Sequence, residues 1–263
     1  MIKYIKWQFR EIARYIVVSI LVPLFRPVVW YIVFHDLLRR PDHINYIRER
    51  LAFCDKYKDF FRGAVECKSR HEIYNRAVDE VLKSGHDGLW VEFGVWRGES
   101  INYIAKLAPH KTIYGLDSFE GLPVDWSQGQ TKDAVISADY FKMYRLPRVR
   151  KNVRLIKGWF DKTLPVLMQD SRKHLSFIHI DSDVYKSAKT IFDIGGKHIA
   201  PGTVIVFDEY YNYPCWQEGE YKAFQEFVRK YDVKYDFIAF NSHGEQAALV
   251  IRSLNVDSTA AVS

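Results

Sequence analysis

The sequence is short of the features that mark several classes of protein. It has only three cysteines, Cys54, Cys67 and Cys215, and no two of them have C-x-x-C spacing. This excludes a disulfide framework and argues against a structural zinc site. The chain has no internal repeat, and no small-residue cleavage site follows its first apolar residues, so a removable signal peptide is not expected. Unpaired thiols fit a reducing compartment, which indicates a cytoplasmic protein.

An uninterrupted apolar run long enough to cross a bilayer is also missing. A spanning helix needs about 20 apolar residues, whereas the first apolar stretch is broken at Pro23, Arg26 and Pro27. Residues 1–50 carry nine Lys or Arg against four Asp or Glu, a net charge of +5 out of +6 for the whole chain. Basic residues interleaved with apolar ones favour an anionic membrane surface over a nucleic acid.

We therefore predict peripheral membrane contact through residues 1–40 and no nucleic-acid partner. Two alternatives stay open for this segment. It could form a kinked span, since a single arginine is tolerated at a cost, or its apolar faces could pack on the protein itself or on a second subunit. A homo-oligomer is therefore also open.

A dinucleotide fingerprint is absent, although the pattern of residues 88–101 predicts a strand, a glycine turn and a helix. The fingerprint needs three glycines as G-x-G-x-x-G, so that a pyrophosphate can sit at the helix N-terminus. Here Gly94 and Gly98 follow Glu92 with no glycine between them. The spacing suits a ligand without phosphate, and it makes a nicotinamide-dependent oxidoreductase the less favoured alternative.

Two further predicted strands complete a cofactor half-site. The strand over residues 112–116 ends in Asp117, about 20 residues after the glycine turn, where doubly wound sheets place an acid that holds a ribose diol. The strand over residues 153–157 leads to Gly158 and Trp159, and this ring could edge an adenine or belong to the core. These elements predict a doubly wound α/β fold.

Acidic residues follow the next two predicted strands. Asp181 and Asp183 end one strand, and Asp208 and Glu209 end the other. Carboxylates gathered at neighbouring strand ends repel one another unless a cation or a proton offsets the charge. Oxygen ligands in this number indicate Mg²⁺, with Mn²⁺ and Ca²⁺ as alternatives. For Asp183 alone the commoner role is a helix N-cap.

Six words of the sequence have the order and spacing of a known family: EFGVWRGES, YGLDSFEGLP, KGWFDKTLP, FIHIDSDVY, FDEYYNYP and WQEGEYKAFQEF. On these words, residues 87–252 resemble the macrocin O-methyltransferases, metal-dependent sugar O-methyltransferases of antibiotic biosynthesis. The resemblance implies a Rossmann-like class I methyltransferase sheet of about seven strands with a C-terminal antiparallel hairpin. Helical periodicity in residues 41–86 predicts helices that lead into or cap this domain, and residues 253–263 are expected to be a disordered tail.

Carried over by position, the resemblance implies a cofactor site and a cation site. The residues implied to bind S-adenosylmethionine are Glu92, Gly94, Gly98, Asp117, Ser118, Gly158, Trp159 and Asp181. Asp181, Asp208 and Glu209 are implied to bind Mg²⁺ or another divalent cation. The family commonly has a second aspartate where this chain has Glu209, so the longer arm could alter the metal geometry or leave Glu209 outside the ligand shell.

The predicted reaction is methyl transfer from S-adenosylmethionine to a hydroxyl of a small-molecule or glycan acceptor. A cation favours the alkoxide of that hydroxyl, and a base must take its proton. Asp183 is the first candidate for the base. His179 is the second, although a core histidine is the commoner role within a strand. A non-catalytic, membrane-associated module with a decayed cofactor site is a further alternative, which the acids at three strand ends disfavour.

Overall fold

The computed structural model describes residues 59–127, 135–169, 174–213, 215–242 and 244–255. The predicted membrane-contacting segment and the first part of the helical lead-in, through residue 58, lie outside these ranges. Within them, no helix combines the length and the apolar character that a membrane crossing requires.

The main sheet has eight strands: β1 (Val65–Cys67), β2 (Leu89–Phe93), β3 (Ile113–Asp117), β6 (Val153–Lys157), β7 (Leu175–Ile180), β8 (Ile199–Phe207), β9 (Lys234–Asn241) and β10 (Ala247–Ser253). Their order across the sheet is β1-β9-β10-β8-β7-β2-β3-β6. β8, β7, β2, β3 and β6 are parallel, and β10 runs antiparallel between β8 and β9. The predicted doubly wound sheet with a C-terminal antiparallel hairpin is confirmed.

Helices cover both faces of the sheet. They are α1 (Arg70–Ser84), α2 (Glu99–Leu107), α3 (Phe160–Gln169), α4 (Tyr185–Gly195) and α5 (Glu220–Lys230). One hydrophobic core contains Ile73 of α1 and Ile101 of α2. The other contains Leu164, Ile191 and Phe224 from α3, α4 and α5. Because both faces are covered, the central strands are apolar almost throughout, as is typical of parallel sheets.

The lead-in contains a strand that the periodicity did not predict. β1 has three residues and pairs in parallel with β9 at the edge of the sheet. A three-residue strand is too short to show an alternating pattern. The described part of the lead-in otherwise forms α1, whose N-cap Ser69 accepts a hydrogen bond from the N–H of Glu72 and whose C-cap is Gly85 in a left-handed conformation.

The chain end differs from the predicted tail, and the long loop after β3 has structure of its own. Ser253 still belongs to β10, and the N–H of Asn255 donates to the carbonyl oxygen of Tyr231 at 2.7 Å. The predicted disordered tail therefore does not begin at residue 253, and residues 256–263 lie outside the described ranges. The loop after β3 holds a two-stranded ribbon, β4 (Trp126–Ser127) with β5 (Val135–Ile136), and a 3₁₀ turn over Ala138–Phe141.

Candidate active site

A cleft opens at the carboxyl ends of the parallel strands, where the strand order reverses between β2 and β7. Its empty volume is about 830 Å³. Doubly wound sheets bind their ligands at such a switch point. The predicted site residues that line the cleft are Gly94, Asp117, Ser118, Trp159, Asp181 and Asp183.

Gly94 brings the turn after β2 against the loop after β7. Its φ is 89°, a left-handed conformation that favours glycine. A Cβ atom at this position would lie 1.7 Å from the carbonyl oxygen of Asp181, so no side chain fits there. The N–H of Asp181 also donates to the carbonyl oxygen of Phe93. Gly94 thereby holds the glycine turn in contact with one of the acidic strand ends.

The Asp117 carboxylate is largely occupied by the backbone around it. Its Oδ2 accepts hydrogen bonds from the N–H groups of Val95 and Trp96, both at 2.8 Å. Its Oδ1 accepts one from Phe119 at 2.6 Å. A carboxylate has about four acceptor positions, so one position remains for a ribose hydroxyl. Asp117 ties the glycine turn to β3, and its predicted contact with the cofactor stays a prediction.

The remaining predicted cofactor residues divide between the cleft wall and the turns beside it. Ser118 lies in the wall and donates to the carbonyl oxygen of Gly121. Trp159 is 37% exposed there, so its ring is accessible to a planar ligand. Gly98 and Gly158 do not line the cleft. Their φ values of 78° and 145° make them turn residues before α2 and α3.

Glu92 lies beneath the cleft, which corrects the prediction that it lines the cofactor. It is fully buried, accepts a hydrogen bond from Ser100 Oγ at 2.9 Å, and pairs with His179 Nδ1 at 2.9 Å. The cause is the register of the sheet: Glu92 of β2 is the partner of His179 of β7, and paired positions point to the same face. Glu92 therefore orients the histidine ring.

His179 connects this pair to the end of β8. Its Nε2 lies 3.9 Å from Asp208 Oδ1, beyond hydrogen-bond distance, and is buried with no hydrogen-bond partner among the described residues. Asp208 itself accepts from Tyr74 OH at 3.2 Å and from Gln246 Nε2 at 3.3 Å. Because His179 does not line the cleft, the geometry does not support it as a base that contacts the acceptor.

Two groups of potential cation ligands meet at the cleft, and Asp181 belongs to both. One group adds His179 and Asp208, the other adds Asp183 and Glu209, and the ligand atoms of each lie within 4.8 Å of one another. The predicted set of Asp181, Asp208 and Glu209 is thus divided between two groups. The reason is that consecutive side chains at a strand end point to opposite sides: Asp208 turns to Tyr74 of α1, and Glu209 joins Asp183.

Asp183 is not the helix cap that its sequence position favoured. The N-cap of α4 is Val184, with no side-chain cap hydrogen bond. β7 already ends at Ile180, before both acids. Asp183 has φ 61° and is only 9% exposed. This left-handed backbone, uncommon outside glycine, places the side chain among the other acids.

Glu220 of α5, which the motifs did not single out, links the two acidic loops. Its Oε1 accepts from the N–H of Ser182 at 3.1 Å and from its Oγ at 3.0 Å. Its Oε2 accepts from the N–H of Glu209 at 3.4 Å. Glu220 lies on the buried stripe of α5 with Ala223 and Phe224. An acid on an apolar helix face is the sequence signal that could have identified it, since buried acids need partners.

Burial and neighbouring charges shift the pKa values of the acids at this site. Burial, and after it the charge of Asp208, raises the pKa of Asp181 and Glu209 well above the ordinary values and raises the pKa of Asp183 to about 7. Burial alone would lower the pKa of His179, but neighbouring carboxylates raise it to about 10. Glu209 Oε2 is buried and has no hydrogen-bond partner in the described ranges. Such a set of oxygens has the chemistry that hard divalent cations prefer.

Comparison with known proteins finds O-methyltransferases among the relatives of this chain. The sequence profile described as Macrocin-O-methyltransferase (TylF) matches residues 63–244. The chain is 29% identical over 194 residues to demethyldecarbamoylnovobiocin O-methyltransferase of Streptomyces niveus, covering 66% of this chain and 71% of the relative. It is 30% identical over 151 residues to 8-demethyl-8-(2,3-dimethoxy-alpha-L-rhamnosyl)-tetracenomycin-C 4'-O-methyltransferase of Streptomyces olivaceus, covering 51% of this chain and 57% of the relative.

Solved structures show the same fold. The O-methyltransferase NovP gives a TM-score of 0.50 at 22% identity and covers 70% of this chain and 79% of its own. The calicheamicin methyltransferase CalS11 gives a TM-score of 0.52 at 20% identity, covering 69% of this chain and 78% of its own. The methyltransferase prediction is confirmed over the oxidoreductase alternative. The chain belongs to the macrocin O-methyltransferase (TylF) family of S-adenosylmethionine-dependent O-methyltransferases.

Proposed function

We propose that this protein transfers the methyl group of S-adenosylmethionine to a hydroxyl of a sugar or glycoconjugate, with the help of a divalent cation. The observation that carries the proposal is the position of Asp181, which lines the cleft and belongs to both groups of potential ligands. A sugar acceptor is supported by the Streptomyces olivaceus relative, whose name specifies a rhamnosyl group. Membrane contact through residues 1–40, a cytoplasmic location and a homo-oligomer stay predictions.

The side chains at the acidic end of the cleft fit a divalent cation. Asp208 and Glu209 each have an oxygen within 4.8 Å of Asp181. Glu209 Oε2 and His179 Nε2 are buried atoms that no described residue satisfies. We assign Asp181, Asp208 and Glu209 as the ligands and Mg²⁺ as the expected cation, because carboxylates suit Mg²⁺, Mn²⁺ and Ca²⁺. In this assignment His179 lies behind Asp208 in the protein interior, with its Nε2 3.9 Å from Asp208 Oδ1.

The protein contributes binding, orientation and proton transfer. When bound, S-adenosylmethionine supplies an activated methyl group, and the cation supplies positive charge that favours the alkoxide of the acceptor. Gly94 keeps the cofactor side of the cleft in contact with the loop of Asp181. Asp117 holds the same turn through the N–H groups of Val95 and Trp96. This rigid arrangement fixes the reacting groups relative to one another, which is the main source of rate in such a transfer.

Asp183 takes the proton of the acceptor hydroxyl in this proposal. It lines the cleft, whereas His179 does not. Burial, followed by the charge of Asp208, raises the pKa of Asp183 to about 7. This value applies to the protein without a cation, and a divalent cation bound nearby would lower it and favour the deprotonated, base form of Asp183. The left-handed backbone at Asp183 keeps its carboxyl group in the cleft wall.

Methyl transfer from labelled S-adenosylmethionine to a panel of sugars and glycosides tests the proposal, with Mg²⁺ and with a chelator. We expect transfer that requires Mg²⁺ and that is lost in Asp183→Asn, with cofactor binding retained. Asp193→Asn, an exposed acid of α4, is the matched control and should behave as the unaltered protein. Methyl transfer that persists in the chelator would contradict the proposed role of the cation. Cofactor binding without methyl transfer to any hydroxyl would contradict the proposed class of acceptor.

A further inference from the structure

Exposed apolar side chains are concentrated around the mouth of the cleft. Eight large apolar side chains are exposed in the described part of the chain. Five of them belong to segments that line the cleft or adjoin it: Val124, Tyr140, Tyr144, Leu146 and Trp159. Tyr144 is 93% exposed and Leu146 is 53% exposed. Single exposed apolar residues are common on protein surfaces, but a local concentration of them marks an interaction site.

The same region carries positive charge that is not neutralised. Residues 137–157 contain seven Lys or Arg and a single acid, Asp139. All seven cations are exposed, and none forms an ion pair with another described residue. They are Lys142, Arg145, Arg148, Arg150, Lys151, Arg154 and Lys157. Since opposite charges normally alternate on a solvated face, this one-signed stretch indicates an anionic partner.

The basic stretch is fixed to the cleft wall. Asn102 of α2 donates to the carbonyl oxygen of Arg148 at 2.9 Å and accepts from the N–H of Arg150 at 2.8 Å. Further along, the ring of Phe141 contacts that of Trp96, with centroids 5.4 Å apart, and both rings line the cleft. The cations and the exposed apolar side chains of residues 140–151 therefore lie on one segment that is held beside the cleft at both ends.

We propose that this surface, residues 138–151, which we call the basic rim, docks on an anionic lipid bilayer. Lys and Arg would be attracted to anionic headgroups. Tyr140 and Tyr144 would sit at headgroup depth, where aromatic rings are favoured, and Leu146 would reach the acyl boundary. A free phosphate or a nucleic acid would engage the cations but leave the aliphatic Leu146 in water. Docking would turn the cleft mouth toward acceptors carried by the membrane.

Vesicle co-sedimentation of the full chain tests the basic rim, with equimolar phosphatidylglycerol and phosphatidylcholine, and with phosphatidylcholine alone. The rim variant carries Lys142→Glu, Arg145→Glu and Arg148→Glu. The control variant makes the same charge change at exposed cations that do not line the cleft: Lys83→Glu, Lys197→Glu and Arg229→Glu. We expect the rim variant to lose about 100-fold in affinity for anionic vesicles, on the order of fivefold for each cation, and the control variant to lose far less.

A second variant, Tyr144→Ser with Leu146→Ser, keeps the charge and removes the apolar part. It should bind anionic vesicles several-fold more weakly and bind duplex DNA at low salt unchanged. Equal vesicle binding by the rim and control variants would overturn the proposal. So would an apolar variant that binds vesicles normally while DNA binding follows the rim charges, because the rim would then be a general polyanion surface.

These measurements are independent of catalysis. Residues 1–40 are the same in every variant, so differences between variants report the rim. S-adenosylmethionine affinity, measured by calorimetry, should be equal in all of them and shows that the cofactor site is folded. Failure of the vesicle test would leave the proposed methyl transfer untouched, and failure to find an acceptor would leave the vesicle result unchanged.

Discussion

The end of β3 and the ends of β7 and β8 share one local pattern, an apolar strand followed by carboxylates, yet the fold treats them differently. At β3, three backbone N–H groups surround the Asp117 carboxylate. At β7 and β8, acids from two strands meet, and Glu209 Oε2 finds no donor among the described residues. An acid supplied with donors organises the loop around it, whereas acids that share too few donors repel one another unless a cation or a proton offsets their charge.

Among the variants that test this comparison, Asp181→Asn should have the largest effect on activity, because it removes the carboxylate that both acidic groups share. We expect kcat/KM to fall by at least about 100-fold, since partners that merely support a metal ligand already cost about 10- to 100-fold. Calorimetry should show loss of Mg²⁺ binding. Wild-type Mg²⁺ affinity in this variant would contradict the assignment.

Glu220→Gln should weaken cation binding at the ends of β7 and β8, because Glu220 links the two acidic loops. The amide has one acceptor oxygen, so it cannot accept from both Ser182 and Glu209 as the carboxylate does. We expect Mg²⁺ affinity to fall about 10-fold, with cofactor affinity unchanged. Glu226→Gln on the same helix is the matched control, since Glu226 accepts from Tyr185 OH outside the acidic groups. If the two variants bind Mg²⁺ equally, Glu220 has no positioning role.

Asp117→Asn should show the opposite phenotype, with a loss of stability and cofactor binding and no change in Mg²⁺ affinity. A hydrogen bond to a charged group contributes about 1.5–3 kcal/mol, and the amide presents an N–H₂ group to N–H donors. We expect the free energy of unfolding in urea to fall by about 2 kcal/mol. A variant that loses Mg²⁺ binding instead would remove the distinction between the two regions.

The stability of the metal-free protein should depend on pH in a direction set by the buried acids. Burial first, and then neighbouring acids, raise the pKa of Asp183 to about 7 and that of Glu220 to about 8, compared with about 4 in the unfolded chain. Between these values the folded state retains protons that the unfolded state has released. The free energy of unfolding must therefore fall as the pH rises from about 4 to about 8.

Urea denaturation at the two ends of this interval, with and without Mg²⁺, measures the effect. Mg²⁺ should stabilise the protein more at the higher pH, because the carboxylates are then free of protons. A metal-free protein that gains stability across the interval would show that the acids are compensated by the protein alone.

Sequence patterns predicted most of the parallel sheet and the residues of the cleft wall, but they could not identify the hydrogen-bond partners of the acidic residues. Glu92 is the clearest case. The family resemblance implied a cofactor contact for it, whereas the register with β7 directs it to His179. Glu220 was missed because it lies on the apolar stripe of α5, where periodicity alone reads the position as core. Asp183 was favoured as a cap because the left-handed backbone before α4 has no sequence signature.

The sequence by itself determined the family, the order of strands and helices, and the presence of acids at three strand ends, because contiguous motifs and local periodicity carry that information. Only the tertiary structure decided which acids receive hydrogen bonds from other groups of the protein. The donors to Asp117 come from the turn after β2, and those to Asp208 come from Tyr74 and Gln246, far away in the chain. Electrostatic compensation depends on distances between such remote groups, and these distances exist only once the sheet has brought its strand ends together.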